Sequence, residues 1–381
     1  MKICFVNNIY GESARGGAEK VIERLVNNLL TKGHELTIIS GALKTSVANS
    51  TTANLKYVYL PSKYSLLVNK STLYKLFFHF FSFFNIISTQ RLGRIIKQEK
   101  FDLVWTHNLV GLNLLSFKFL GKAKKIHTFH DIQLLHPSGL MLYGKEARLD
   151  NFSSQLYQLF SRLVFPASAL GVFPSNWLKS IYSKYYLLPK NSLVLKNPMD
   201  HKSVIKTEQK NETFNFLYLG QLEKHKGIEL LIESFLLLDN SNAKLLIAGS
   251  GLMETELKTK YQTNSNIIFL GKVASAEIAF KNANCLVVPS LCYENLPTVA
   301  LEAANTELPV IGSNLGGIPE AIGDDSLLFE PNKESLMEKL NWCLTNKEGL
   351  KKVAANARQQ INIPNTDSYL ETIGKIVGIS F

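Results

Sequence analysis

The sequence predicts an α/β protein made of two doubly wound, parallel-sheet domains that face each other across a cleft. Short apolar, β-branched runs alternate with amphipathic helical segments in both halves of the chain, which is typical of repeated β–α–β units. Glycine turns follow several of the predicted strands, where a sheet edge needs close backbone approach. The alternation stops at Lys202 to Thr213, a polar segment without apolar periodicity, and then restarts.

We therefore expect a first domain over residues 1–200 and a second over residues 201–364. The last helix, at about residues 365–381, is expected to pack back on the first domain. A chain of 381 residues that is 46% hydrophobic and 19% charged is large enough to form both cores.

The first domain begins with a β–loop–α–β unit. The predicted elements are a strand at 2–8, a loop at 11–17, a helix at 18–31, a strand at 35–40, helices within 63–100, strands at 101–107 and 125–130, a helix at 177–185 and a strand from 193. Gly16 and Gly17 lie in the first loop, where glycine lets a backbone approach a phosphate. The pair is not a G-x-G-x-x-G motif, so a plain tight turn explains it equally well.

The second domain repeats the pattern. The predicted elements are a strand at 214–220, a helix at 227–238, a strand at 244–248, a helix between Gly251 and the next strand, a strand at 267–270, a helix at 274–281, a strand at 286–288, a helix at 298–304, a strand at 309–312 and a final helical region.

Cysteine usage excludes two classes of site. Cys4, Cys285, Cys292 and Cys343 are scattered and form neither a C-x-x-C motif nor a Cys/His cluster. Neither a zinc site nor a disulfide framework is predicted, and a reducing compartment is indicated. The longest apolar stretch, Leu73 to Ser88, contains charged and polar residues and is shorter than the ~20 residues that span a bilayer. We expect a cytoplasmic protein without a transmembrane segment.

The positive charge is concentrated in the first half. Residues 1–200 contain 25 Lys and Arg against 10 Asp and Glu, whereas residues 201–381 contain 17 against 21. Such asymmetry indicates an anionic partner, which could be membrane headgroups, a phosphorylated substrate or nucleic acid. Residues 63–100 add a strongly aromatic face flanked by basic residues, which fits either core packing or docking on an anionic bilayer.

Residues 285–304 contain the strongest functional signal. An apolar strand leads into a polar loop with Glu294, and a helix follows in which Pro297 is expected at the first helical position. Glu302 lies on that helix among apolar neighbours, so its carboxylate needs a ligand or a partner. A loop charge and a solvated helix face are the alternative.

A second strand–turn–helix corner runs from Gly220 to Gly227 and contains Lys224, His225 and Lys226, which could meet phosphate oxygens near a helix N-terminus. Glycine turns at Gly249 and Gly316 follow two further strands. Several such turns on one sheet edge are better evidence for a ligand site than any one of them.

These motifs resemble those of the retaining GT-B glycosyltransferases of glycosyltransferase family 4. The matching segments follow one another in order and cover nearly the whole chain. They are Gly16-Gly-Ala-Glu19, His130-Asp131, Asn197-Pro-Met-Asp200, Gly249-Ser-Gly251, Phe269-Leu-Gly271, Glu294 and Glu302 with seven residues between them, and Gly316-Gly-Ile-Pro-Glu320.

The resemblance implies a role for each site residue. It implies catalytic roles for His130, Lys226 and Glu294, with Glu294 and His130 at the donor sugar. It implies that Lys226 and backbone N–H groups at Leu296, Pro297, Thr298 and Val299 hold the diphosphate, that Glu302 binds the ribose, and that Gly16, Gly17, Gln221, Gly249, Gly271, Val273 and Asn295 complete donor binding.

The resemblance also implies the reaction. A UDP-sugar is the expected donor, and a saccharide acceptor linked to a polyprenyl diphosphate is expected from the basic, aromatic first half, in surface polysaccharide synthesis. Front-face attack with retention is expected because no residue is a convincing covalent nucleophile. The sequence lacks an Asp-x-Asp metal motif, so no metal is expected and cations must stabilise the leaving diphosphate.

Two positions depart from the family pattern. Gln221 replaces the usual Arg beside the diphosphate, and Asn305-Thr-Glu307 replaces a small residue and Gly. Among other classes, a GT-B relative such as a phosphorylase or a sugar-nucleotide epimerase remains open. A dinucleotide oxidoreductase lacks its glycine fingerprint. A nucleic-acid binder lacks a recognisable motif, so no nucleic-acid partner is expected.

Overall fold

The computed structural model describes residues 1–11, 16–42, 47–49, 53–62, 85–185, 187–200, 213–239 and 242–381. The chain separates into two compact units. The first unit contains residues 1–140, 146–198 and 364–381, and the second unit contains residues 141–145 and 199–363. Most of the aromatic segment, residues 63–84, and nearly all of the polar segment at 202–213 lie outside the described residues.

The first unit is built on an eight-stranded sheet with the order β3-β4-β2-β1-β5-β6-β7-β8. Neighbouring strands are parallel except for β3 and β4. The strands are β1 (Lys2–Val6), β2 (Glu35–Ala42), β3 (Val47–Asn49), β4 (Leu55–Pro61), β5 (Leu103–Thr106), β6 (Lys124–Thr128), β7 (Leu170–Phe173) and β8 (Asn191–Val194). The helices are α1 (Gly17–Thr31), α2 (Ile86–Glu99), α3 (Phe152–Val164) and α4 (Asn176–Lys184).

The second unit is built on a parallel six-stranded sheet with the order β11-β10-β9-β12-β13-β14. Its strands are β9 (Phe214–Leu219), β10 (Ala243–Ala248), β11 (Ile267–Gly271), β12 (Cys285–Val288), β13 (Val310–Ser313) and β14 (Leu328–Phe329). Its helices are α5 (Ile228–Phe235), α6 (Glu254–Tyr261), α7 (Ala276–Phe280), α8 (Thr298–Asn305), α9 (Ile318–Ile322), α10 (Lys333–Thr345) and α11 (Lys347–Gln360).

The last helix, α12 (Thr366–Val377), contributes to the core of the first unit. Tyr369 and Ile373 are fully buried in the same cluster as Val21 and Leu25 of α1. The ring of Tyr369 also stacks on Trp105 of β5, with 6.4 Å between the ring centroids. The apolar spacing of α1 and α12 buries one face of each helix, which is the main source of helix stability in a folded chain.

The predicted α/β class with two parallel sheets is confirmed. Four strands and one helix of the described chain are absent from the elements predicted above, namely β3, β4, β7, β14 and α3. The helix predicted over 227–238 is shorter, because α5 begins at Ile228 and already ends at Phe235. A 3₁₀ turn at Lys224–Lys226 precedes α5 and is separated from it by one residue. The break falls at Gly227, whose φ is +71°. None of the helices in the described part of the chain is long and apolar enough to cross a bilayer.

Gly227→Ala should destabilise the second unit by about 3 kcal/mol or more. A β-carbon at this position would lie 1.8 Å from the Pro289 carbonyl oxygen, and the left-handed backbone adds strain. Gly271→Ala is the matched control, because its φ is +67° and nothing lies within 4 Å of the added carbon. It should cost only about 1–2 kcal/mol. Urea unfolding measures both losses, and equal losses would show that the clash is relieved elsewhere.

Candidate functional site

The candidate site lies where the strand order of the second unit changes direction. The chain runs outwards from β9 through β10 to β11, returns to β12 beside β9, and continues outwards on the other side through β13 to β14. Ligands of open α/β sheets bind at the carboxyl ends of the strands at such a switch point. The loops that follow β9 and β12 meet there.

Those two loops touch through their backbones. Gly227 lies so close to Pro289 that no side chain fits between them. The N–H of Leu291 donates to the carbonyl of His225 at 2.9 Å. The contact brings Lys226, at the end of the first loop, next to Glu294 in the second.

Lys226 and Glu294 form the central ion pair of the site. The Lys226 Nζ lies 2.6 Å from Glu294 Oε1, and the Ser290 hydroxyl donates to the same oxygen at 2.8 Å. The two side chains are 24% and 18% exposed, so the pair is sheltered but open to a ligand. Both predicted catalytic residues of the second unit are therefore in contact.

Both members of the pair are charged at neutral pH. Burial raises the pKa of Glu294, but the Lys226 ammonium and the Ser290 hydroxyl outweigh it and hold that pKa below its usual value. Burial lowers the pKa of Lys226, but the Glu294 carboxylate outweighs it and the net shift is upwards. Burial and the nearby Lys226 lower the pKa of His225, which keeps that imidazole neutral.

The loop that carries Glu294 is held on two sides. The N–H of Gly317 donates to the Glu294 carbonyl at 2.8 Å, and a β-carbon at Gly316 would lie 2.4 Å from that oxygen. On the other side, residues 141–145 pair with the loop in antiparallel fashion, through Tyr143 N–H to Leu291 O and Tyr293 N–H to Met141 O. This short segment belongs to the second unit, and the sequence contained no sign of it.

The N-terminus of α8 corrects one expectation. The helix begins at Thr298, and Pro297 is the N-cap with extended backbone, not the first helical residue. Proline has no N–H group, so the available backbone donors of this stretch are those of Leu296, Thr298 and Val299. The first-turn N–H groups of a helix have no intrahelical acceptor, which makes this end a potential anion site.

Glu302 lies in the second turn of α8 and is partly buried, whereas its sequence neighbours Leu301 and Ala303 are buried. Asn295 precedes the helix and is also partly buried. Asn295 lies in the same loop as Glu294, and Glu302 lies in the helix that follows this loop.

The other predicted donor residues lie along the same sheet edge. Gly249, with φ at +133°, would place a β-carbon 1.8 Å from the Gly220 carbonyl. Its N–H donates to the carbonyl of Gly271 at 2.8 Å. Gln221 accepts a 2.6 Å hydrogen bond from the Tyr218 hydroxyl through its backbone carbonyl, and Val273 packs against the core.

In the first unit, His130 pairs with a second histidine. His107 Nδ1 lies 2.8 Å from His130 Nε2, and the rings stack with centroids 5.0 Å apart. Burial lowers the pKa of His130 to about 4, and that of fully buried His107 lies well below its usual value. Both imidazoles are neutral, so one donates and the other accepts. The sequence contained one sign of this pair: the strands predicted at 101–107 and 125–130 both end in His.

Asp131 and the first glycine loop complete this group. Asp131 Oδ1 accepts from the N–H of Gln133 at 2.7 Å, yet burial, with a smaller contribution from Glu19, raises the pKa of Asp131 to about 7. Gly16 is the N-cap of α1, its N–H donates to Glu19 Oε2 at 3.0 Å, and Gly17 is the first helical residue.

Protein-family models match two consecutive parts of the chain. Glycosyltransferase Family 4 matches residues 15–203, and Glycosyl transferases group 1 matches residues 200–360. Together the two models extend from the first glycine loop to the end of α11.

Curated relatives are about one quarter identical to this chain. An uncharacterized 42.6 kDa protein in the cps region of Klebsiella pneumoniae is 25% identical over 333 residues, which covers 84% of this chain and 87% of that protein. The UDP-Gal:alpha-D-GlcNAc-diphosphoundecaprenol alpha-1,3-galactosyltransferase of Escherichia coli is 26% identical over 251 residues, which covers 59% and 61%.

Solved structures share the fold at low identity. Sucrose-phosphate synthase from Thermosynechococcus elongatus superposes with a TM-score of 0.77 at 15% identity and covers 98% of both chains. Anabaena HepE in complex with UDP and glucose has a TM-score of 0.70 at 14% identity and covers 99% of both.

Asp131→Asn should raise the thermal unfolding midpoint at pH 8. The folded-state pKa of about 7 lies above the ordinary value of 3.8, so the ionised carboxylate lowers the free energy of unfolding. This loss grows as the pH rises from about 4 to about 7 and is complete above pH 7. Near pH 4 the variant and the parent should therefore converge. The exposed Asp325→Asn is the control and should change little at either pH. A gain independent of pH would refute the titration.

Proposed function

We infer the activity from one premise: the chain belongs to the GT-B glycosyltransferases matched by the models Glycosyltransferase Family 4 and Glycosyl transferases group 1, and it is therefore a glycosyltransferase. We propose that it transfers a sugar from a UDP-sugar to a saccharide acceptor with retention of configuration. One observation carries the proposal, namely the charged Lys226–Glu294 pair beside the N-terminus of α8 at the switch point of the second unit.

The pair suits a departing diphosphate. When the bond between the anomeric carbon and the phosphate oxygen breaks, its electrons go to the diphosphate, and negative charge grows there. A lysine whose pKa is held up by Glu294 is a permanent cation, and the N–H groups of Thr298 and Val299 in the first turn of α8 add oriented donors. Such preorganised groups stabilise the transition state more than the ground state.

Glu294 has a second role in this proposal. Its carboxylate fixes Lys226 and offers its remaining acceptor positions to hydroxyls of the donor sugar. The same pairing makes Glu294 a weak nucleophile, because Lys226 and Ser290 both lower its basicity. This supports front-face attack, in which the acceptor oxygen bonds to the anomeric carbon and its proton passes to the leaving phosphate.

The remaining donor contacts follow from chemistry and position. Glu302 would accept two ribose hydroxyls. His130 would serve the sugar as a neutral hydrogen-bonding group, since its pKa of about 4 excludes a cation near neutral pH. Gln221 would bind the diphosphate through hydrogen bonds without charge, so Lys226 carries most of the electrostatic stabilisation.

The acceptor is proposed to be a saccharide on a polyprenyl diphosphate, in the synthesis of a surface polysaccharide such as O-antigen, capsule or exopolysaccharide. The name of the Escherichia coli relative specifies a diphosphoundecaprenol-linked acceptor, and a Klebsiella pneumoniae relative lies in a cps region. The excess of positive charge in residues 1–200 fits a diphosphate on an anionic surface. The enzyme would then work at the cytoplasmic face of the membrane.

Lys226→Met and Glu294→Gln should each lower transfer at least about 100-fold, because each removes charge or its positioning at the leaving group. A thermal-shift screen of nucleotide sugars first identifies the donor, and transfer is then measured with that donor. Lys281→Met, which removes an exposed lysine of the same unit, should retain full activity. Full activity in either site variant would refute the proposed role of that residue at the leaving diphosphate.

Glu302→Gln should weaken UDP binding about 10- to 100-fold, since hydrogen bonds to a charged group contribute about 1.5–3 kcal/mol. Titration calorimetry measures the affinity directly. Glu334→Gln removes an exposed carboxylate in the first turn of α10 and should leave the affinity unchanged. Equal affinities for all three proteins would exclude the ribose role.

EDTA should leave the transfer rate unchanged, because Lys226 and the α8 N–H groups are proposed to do the work of a metal at the diphosphate. The rate is compared in EDTA and in added Mg²⁺. A loss that Mg²⁺ restores would replace this proposal with a metal-assisted one.

A further inference from the structure

Helix α3 exposes its apolar side chains. Phe152, Leu156, Leu159 and Leu163 are 75%, 52%, 48% and 64% exposed. Their spacing of four, three and four residues places them in one row along the helix. We call this row the α3 stripe.

The opposite face of α3 is buried and mainly polar. It consists of Ser154, Tyr157, Gln158, Ser161 and Val164. The Tyr157 hydroxyl donates to the Gln133 carbonyl at 2.7 Å, and Gln158 Nε2 donates to the Leu149 carbonyl at 2.9 Å. These bonds fix the rotation of the helix, so the stripe cannot turn inwards without leaving buried polar groups unpaired.

A contiguous apolar row on the surface marks an interaction site, and its size argues against a second copy of the chain. A specific protein interface buries about 800 Å² on each partner, and four side chains on a 13-residue helix fall well short of that. A row of apolar side chains along one helix fits a bilayer better, because interfacial helices lie flat on a bilayer with their apolar face among the acyl chains.

Basic side chains outnumber acidic ones beside the stripe: residues 145–164 contain Lys145, Arg148 and Arg162 against Glu146 and Asp150. Arg148 and Arg162 are exposed, the first just before the helix and the second on it, and residues 1–200 contain 25 basic against 10 acidic residues. The nearby Asp150 accepts a hydrogen bond from the Tyr185 hydroxyl at 2.9 Å. Basic side chains beside an apolar row match the headgroup and acyl layers of such a membrane.

We propose that α3 docks on the surface of an anionic membrane, with the α3 stripe among the acyl chains and Arg148 and Arg162 at the headgroups. None of the α3 stripe residues belongs to residues 63–100 or to the Lys226–Glu294 site. It would keep the protein at a membrane whether or not the proposed acceptor is correct.

The test compares vesicle binding of the full chain and its variants. Phosphatidylcholine vesicles with one quarter phosphatidylglycerol are floated with protein at low salt. The double variant Leu159→Gln/Leu163→Gln should bind at least about tenfold more weakly than the parent. It loses the favourable free energy of moving two leucine side chains from water to acyl chains. Leu237→Gln and Ile376→Gln remove side chains that are 56% and 49% exposed elsewhere and should bind as the parent does.

Thermal unfolding and UDP binding of each variant show that the protein is folded. Loss of vesicle binding in the double variant alone supports the proposal. Equal binding by parent and double variant, or a parent that ignores the vesicles, overturns it. A parent that ignores vesicles but forms a dimer that the double variant lacks assigns the stripe to a second copy instead. None of these outcomes touches the donor-site variants, so the transferase proposal stands or falls separately.

Discussion

The ion pair between Lys226 and Glu294 is the constraint on which the functional part of the structure depends. Each side chain is sheltered enough that its charge would be costly alone, and each holds its partner in the charged state. The pair joins the loops after β9 and β12, because Lys226 and Glu294 are 68 residues apart in sequence and lie one in each loop. It therefore sets both the electrostatics of the site and the relative position of the two loops.

Close backbone contacts make this pairing possible. Gly227 against Pro289, Gly249 against Gly220 and Gly316 against Glu294 each leave no room for a β-carbon. The glycine turns of the second unit thus serve as contacts between neighbouring loops as well as points of approach for a ligand. A sheet edge packed in this way presents backbone donors and the Lys226 cation on rigid supports, which is what charge stabilisation without reorganisation requires.

The elements predicted correctly are those with a clean apolar period. The helix at α1 and the buried strands β1, β9 and β12 appear within a few residues of their predicted positions. Helix α3 was missed although its apolar residues recur with helical spacing. Its apolar row is exposed and its buried face is mainly polar, so the pattern would also have indicated the wrong side for packing. Pro297 was expected at the first helical position but is the N-cap, because its backbone is extended and α8 begins one residue later, at Thr298.

The sequence by itself determined the fold class, the switch-point loops and the identity of the charged residues in them, because strand periodicity, glycine turns and charge are local properties. Only the tertiary structure decided which of those groups meet. The Lys226–Glu294 contact, the His107–His130 pair and the strand-like pairing of residues 141–145 with the Glu294 loop join segments far apart along the chain. Their pKa shifts arise from burial and from partners that no local pattern can specify.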